Sequence, residues 1–294
     1  MMITYFDASR REDLIDVVTN VSPKETPLLS GLPTGPAAKN TLHEWTTVSF
    51  DDYSDNAAAE GAAFSADTLT APTRSNNVTQ IFKQQVQVSG SEIAVNGVTD
   101  PWRFQLDKAL VEHAKDIELA IMAGSRNSGG STATARRLAG IINAITTNAS
   151  TRASGSSLGE VAFNDIMALI WAGTGEVATE VYVGATLKRD ISGFTAGSTK
   201  FTAAEDKRLM NAYSIYESDF GVHKIFLHRN VPVAANNLTL VAINPKYHKK
   251  AYLRPTKTEE LAKDGDRVRA QIITEMTVEH LGEKTGAVFG GFTL

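Results

Sequence analysis

The sequence predicts an α+β fold organised around one long amphipathic helix, and three observations predict it. Apolar residues recur at helical spacing from Thr99 to Gly124. Two segments, Asn77–Gly90 and Arg267–Glu279, alternate with a period of two, which is the pattern of a half-buried strand. Between residues 159 and 243 short apolar runs of both kinds interleave, so that part is α/β or α+β around a small sheet.

The helix carries the clearest signals. Asp100 can cap its start and Pro101 fits the first helical position. Trp102, Leu106, Ala109, Leu110, His113, Ile117, Ala120 and Ile121 then form one stripe. Lys108 and Glu112 fall four apart on the outer face, Glu118 follows Lys115 by three, and Gly124 stands at the terminus. At ~1.5 Å per residue this run reaches roughly 37 Å, enough to brace several layers.

Composition narrows the function classes. The chain has 294 residues, 42% of them hydrophobic and 21% charged, so it can bury a sizeable core. A net charge of −4 offers no basic footprint for nucleic acid. Cysteine is absent, which removes disulfides and thiolate metal sites from consideration. No apolar run has the length of a membrane span, and Met1–Arg11 lacks the apolar centre of a signal peptide. These features predict a cytoplasmic product.

In chain order, residues 1–40 read as an arm. A short helix is expected from Arg10 to Thr19, after which Pro23, Pro27, Pro33 and Pro36 break regular structure. Leu28, Leu29 and Leu32 predict a strap that lies on another surface. A strand is expected over Thr41–Phe50, with Asn77–Gly90 as its partner, Val78, Phe82, Val86 and Val88 lying on one face. The polar span Asp51–Asn76 between them is too long for an ordinary hairpin loop, so the pair is expected to project as an extended hairpin.

After the long helix come a Gly/Ser loop, Arg126–Thr134, and a short apolar piece with Leu138, Ile141, Ile142 and Ile145. Asn148–Gly159 reads as a second loop. Phe163, Ile166, Met167 and Ile170 predict a helix ending near Gly173. A strand at Glu180–Gly184, a helix at Leu187–Ile191, and strands at Tyr213–Glu217, Val222–His228 and Leu238–Ile243 follow. The final strands, Arg267–Glu279 and Gly286–Phe292, are expected to return to the long helix.

Catalytic constellations are weak. His113, Asp116 and Glu118 share one helix, but the second Glu-x-x-His copy of a bundle metal site is missing. The six histidines form neither H-x-x-x-H nor H-E-x-x-H. Gly124–Ser131 lacks the lysine of a phosphate loop, Lys263–Asp266 is a turn, and no G-x-S-x-G elbow occurs. The reading is of a non-enzyme with no cofactor and no metal. Charge is distributed unevenly, however. Glu44, Asp51, Asp52, Asp55, Glu60 and Asp67 face a single base, Arg74, between residues 41 and 75, while Lys246, Lys249, Lys250, Arg254 and Lys257 concentrate positive charge elsewhere. The expectation is that the acidic hairpin of one subunit lies over a basic surface of its neighbour, making Asp51, Asp52, Asp55, Glu60, Asp67, Lys249, Lys250 and Arg254 contact candidates.

Short segments along nearly the whole chain resemble one family. They include Val21-Ser-Pro-Lys-Glu-Thr-Pro-Leu28, Glu44-Trp45, Ala59-Glu60-Gly61, Gln80-Ile-Phe82, Val88-Ser-Gly90, Asp116-Ile-Glu118 and Leu138-Ala-Gly-Ile141. Val181-Tyr-Val-Gly184, Ser218-Asp-Phe-Gly221, Tyr252-Leu-Arg254 and Leu261-Ala-Lys-Asp-Gly-Asp266 continue the series. In this order they resemble the phage SU10-type major head proteins, which have the HK97-like capsid fold. The resemblance implies an arm (1–40), an extended loop (41–95), a peripheral domain (96–150 and 250–294) with spine helix 100–124, and an axial domain (151–249). It implies contacts at the extended-loop tip and in an axial loop from Phe194 to Asp206.

It also implies a major capsid protein that assembles as pentamers and hexamers into an icosahedral shell around the double-stranded DNA of a tailed phage. Portal, scaffold or decoration proteins are the implied partners, with assembly in the bacterial cytoplasm and residence in the virion. The chain opens at the arm, so a separate scaffold, or assembly without one, is expected. Some members crosslink through a lysine in the extended loop, but no lysine lies between Lys39 and Lys83. A nanocompartment shell enclosing enzymes and a hydrolase or lyase with a dispersed site are the alternative readings.

Overall fold

The computed structural model describes residues 26–48, 55, 57, 59–61, 63, 70–95, 100–129, 134–194, 215–234 and 237–293. The helix expected over Arg10–Thr19 lies outside them. The elements in order are α1 (Pro27–Gly31), β1 (Leu42–Thr47), β2 (Thr73–Val78), β3 (Gln80–Ser89), α2 (Gly90–Val95), α3 (Pro101–Ala123), α4 (Ile141–Ala144), β4 (Ala149–Ser156) and α5 (Glu160–Thr174). They continue with β5 (Glu180–Val183), α6 (Ala185–Ser192), β6 (Ile215–Ser218), β7 (Gly221–Leu227), β8 (Val233–Ala234), β9 (Asn237–Ile243), β10 (His248–Glu260), β11 (Arg267–His280) and β12 (Ala287–Phe292).

Among the described residues the strands form three sheets. β1 and β2 form an antiparallel ribbon, and β10, β11 and β3 form a three-stranded antiparallel sheet. The largest sheet runs β4-β12-β9-β5-β7-β6, with β8 pairing β9. Helix α5 covers one face of it, packing Phe163, Ile166, Met167 and Ile170 against Val181, Ile225, Leu240 and Phe292. The other face presents Tyr182, Val241, Ile243 and Val288 to a second core, which holds Leu28, Leu32, Ile141 and the C-terminal half of α3. The N-terminal half of α3 packs Trp102, Leu106 and Ala109 on Val86 and Ile272. Helix α3 therefore braces both assemblies, as its length predicts.

Asp100 caps α3 by accepting from the N–H groups of Trp102 and Arg103, at 3.0 and 3.3 Å. Gly124 ends it in an extended conformation instead of a left-handed one (φ −56°). The glycine is needed for close approach. A Cβ there would lie 2.5 Å from the Ala120 carbonyl oxygen, and one on Gly140 would lie 2.5 Å from the Gly124 nitrogen. Two helix positions differ from expectation. Leu110 is exposed, while Glu118, expected outside, is buried. The Lys108–Glu112 ion pair forms at 3.7 Å.

Several pairings depart from the sequence reading. β1 pairs with β2, Leu42 opposite Val78, whereas β3 pairs with β11. The strand is interrupted at Thr79, whose N–H donates to Thr41 O on the β1 side at 2.8 Å while its hydroxyl donates to Glu275 of β11 at 2.9 Å. Residues 149–156, expected as loop, form β4 in parallel with β12. Helix α5 runs past Gly173 to Gly175, which takes the left-handed φ (+70°) of a helix terminus. β11 returns to the long helix, and β12 inserts between β9 and β4, where Val288 faces the core shared with α3 while Phe289 and Phe292 bury in the α5 core. β10 is an unforeseen strand. Register shifts on both sides of Arg254 accommodate Pro255, which an edge strand tolerates.

Candidate assembly surfaces

The strap is clamped onto its own subunit. Leu28 and Leu32 are buried in the second core. The Glu118 carboxylate accepts the N–H groups of Leu28 and Leu29 at 2.9 and 2.7 Å, and the ring N–H of His228 at 2.7 Å. Lys250 Nζ donates to the Leu29 carbonyl at 2.5 Å. Residues 33–38 then run along the edge of β10, through Gly35 N–H to Lys250 O (2.8 Å), Lys250 N–H to Pro33 O (2.9 Å) and Ala38 N–H to Tyr252 O (3.0 Å). This cover blunts the first part of an otherwise open strand edge.

The root of the extended hairpin is fastened to one face of β11. Glu275 and Glu279 both point there, because residues four apart on a strand share a face. Glu275 accepts from Thr79 (2.9 Å), Arg136 (2.9 Å) and Arg254 (2.8 Å). Glu279 pairs with His43 of β1 at 2.7 Å, and the Trp45 indole donates to the His280 carbonyl at 3.2 Å. Asn77 completes the joint by donating to Ala139 O and Val278 O while accepting from Ala139 N–H. The hairpin beyond this joint is a two-stranded ribbon whose β1 residues alternate between exposed and half-buried. A two-stranded ribbon is marginal alone.

The predicted contact residues fall as follows. Asp51, Asp52 and Asp67 lie outside the described residues, as does the axial loop after Phe194. Asp55 and Glu60 are exposed, Asp55 accepting from Ala57 N–H at 3.2 Å and Glu60 preceding Gly61 in a turn. Lys249 is half-buried and Arg254, exposed, is paired to Glu275. Lys250, expected on a basic surface, is 8% exposed and is used inside the subunit. Burial lowers its pKa, and the neighbouring Glu118 charge opposes that shift.

The helix trio of the sequence also separates. His113 Nε2 meets the Thr274 hydroxyl at 2.7 Å, Glu118 belongs to the strap clamp, and burial lowers the His113 pKa. Among the described residues no group of three His, Asp or Glu side chains is placed to hold a metal ion. The groove lined by Pro27, Asp116, Leu119, Leu227 and His228 encloses about 200 Å³, below the ~300 Å³ at which small-molecule sites begin. Among the described residues no helix is long and apolar enough to cross a membrane.

The chain combines an anchored two-stranded ribbon, a bracing helix and a separate large sheet, and the solved structures it is similar to include phage capsids and an encapsulin. The Cyanophage A-1(L) capsid matches with a TM-score of 0.71 at 13% identity, covering 97% of this chain and 98% of that one. The capsid of a native GTA particle matches at 0.68 and 11% identity, covering 99% and 97%. The SrpI encapsulin of Synechococcus elongatus matches at 0.62 and 10% identity, covering 97% and 93%. The fold is thus HK97-like. A comparison with curated proteins finds no sequence match.

Residues 2–293 match the SU10 major capsid protein family, and the chain belongs to it. It is a bacteriophage major capsid protein, a structural component of the virion that assembles into a shell.

Proposed function

We propose that copies of this chain form pentamers and hexamers that tile an icosahedral head around the double-stranded DNA of a tailed phage. On this reading they meet a portal at one vertex, use a scaffold or decoration protein as needed, and assemble in the bacterial cytoplasm. The family match over nearly the whole chain carries the reading. Residues 1–40 act as the arm, 41–95 as the extended loop, 96–150 with β10 and β11 as the peripheral domain, and 151–249 as the axial domain. Because β12 pairs with β9, this reading groups it with the axial sheet.

The acidic hairpin of one subunit lies over a basic surface of the next, where Lys249 and Lys257 supply the positive charge while Arg254 is paired to Glu275. Exposure of Asp55 and Glu60 supports this, since complementary potentials fix register. Lys249→Glu with Lys257→Glu weakens assembly at low salt; unchanged assembly at low and high salt overturns the pairing.

Electron microscopy of the untagged chain tests the main reading. Closed shells or rings of five and six support it. A uniform monomer or dimer, also with a candidate scaffold present, overturns it. The contents of particles from the producing cells separate a phage head from a nanocompartment: nuclease-protected DNA in the first case, cargo protein in the second.

A further inference from the structure

We propose that the outer face of α5 and the open face of the β6–β7 hairpin are two halves of one head-to-tail contact between copies of this chain. The inference deepens the shell reading and rests on it. Helix α5 is apolar on both sides. Phe163, Ile166, Met167 and Ile170 bury inward, yet Val161 is 75% exposed, Leu169 48% and Trp171 54%. Asp165 is the single charge between Val161 and Leu169, one turn from each. Trp171 leans on Phe220 of the β6–β7 turn, ring centroids 6.3 Å apart, which holds its indole as a preformed anchor. A helix apolar all round is a buried helix, and among the described residues nothing covers the outer face of this one.

The second half lies on the opposite side of the same layer. Tyr216 and Ile225 point into the α5 core, and strand alternation sends Ile215, Glu217, Val222 and Lys224 the other way. The register sets Ile215 opposite Lys224 and Glu217 opposite Val222. Ile215 is 59% and Val222 52% exposed, and β6 is the last strand of its sheet among the described residues.

The occupant is a second copy. A two-fold contact of α5 on α5 would set Asp165 against Asp165, whereas the hairpin face offers Lys224, flanked by Glu217. Patches that point in opposite directions make a heterologous contact, which closes into a ring where the rotation between copies is a whole fraction of a turn. The contact continues the self-assembly that defines the family, and a tryptophan is among the residues that most often anchor an interface.

The test uses the full chain, with folding followed by circular dichroism and assembly by sedimentation and electron microscopy. Trp171→Glu, Asp165→Lys and Lys224→Asp each raise the concentration needed for assembly by about tenfold or more. Asp165→Lys combined with Lys224→Asp restores assembly. Should Trp171→Glu unfold the subunit, Val161→Asp with Leu169→Asp is scored the same way. Folded variants that assemble like the parent, or a charge swap that restores nothing, overturn the contact while leaving the shell reading in place. A parent chain that never assembles overturns that reading, and this contact with it.

Discussion

The Nδ1 atoms of His248 and His280 lie 3.0 Å apart across β10 and β11, with both rings buried. His280 Nε2 donates to the Ala139 carbonyl at 3.2 Å, so its Nδ1 must accept and His248 must donate. That leaves His248 Nε2 as a buried lone pair without a partner. Burial pushes the His248 pKa down to about 3, helped by His280, and the His280 pKa down to about 4.

An acid-dependent loss of stability follows. In the unfolded chain both rings take up protons near pH 6.5, which the folded pair refuses. The pair's contribution is complete above about pH 6.5 and is lost as pH falls toward 4 and 3. The slope is up to about 1.4 kcal/mol per pH unit for each ring. Denaturant unfolding between pH 7 and 4 measures it, and His248→Phe should remove about half the slope.

Removing the Glu118 carboxylate should release the strap. Glu118→Ala leaves two backbone N–H groups and the His228 ring N–H unpaired in the core and strips Lys250 of its counter-charge. A loss of about 3–5 kcal/mol is expected. Proteolysis should then cut near residues 27–38 before the rest of the subunit, and equal protection in variant and parent would refute the clamp.

Glu275 and Arg254 should differ sharply although they touch. Glu275→Ala orphans the fully buried Thr79 hydroxyl and releases two arginines, at a cost of about 2–4 kcal/mol. Arg254→Ala removes a half-exposed partner and should cost under about 1 kcal/mol. Hydrogen exchange in β1 and β2 should accelerate for the first variant and stay near the parent for the second.

Gly140→Ala should destabilise where a glycine-to-alanine change elsewhere stabilises. Its Cβ would meet Gly124 N at 2.5 Å and Ala120 O at 2.6 Å, and backbone cannot move aside as a side chain can. A loss of about 1–3 kcal/mol is expected. Gly159→Ala, with open space around its Cβ, is the control.

What the sequence by itself determined are the elements whose signal is local: the capped helix α3, the inward stripe of α5, the short apolar strands β5, β7 and β9, and the alternation of β11. Order and spacing of short segments also carried the family. The tertiary structure alone decided who pairs with whom. β10 carries Pro255 and bulges, and β4 is polar, so neither shows a period; each is a strand because a neighbour supplies its hydrogen bonds. Likewise Glu118 and Lys250 look like solvent-facing charges until the strap, some 90 and 220 residues earlier in the chain, brings its backbone to them. Periodicity reports which face of an element is apolar, whereas burial of a charge depends on partners distant in sequence. The carboxylates of Glu275 and Glu279 lay between the two cases. They fall on the strand that alternation marks out, but only the fold placed the hairpin root against them.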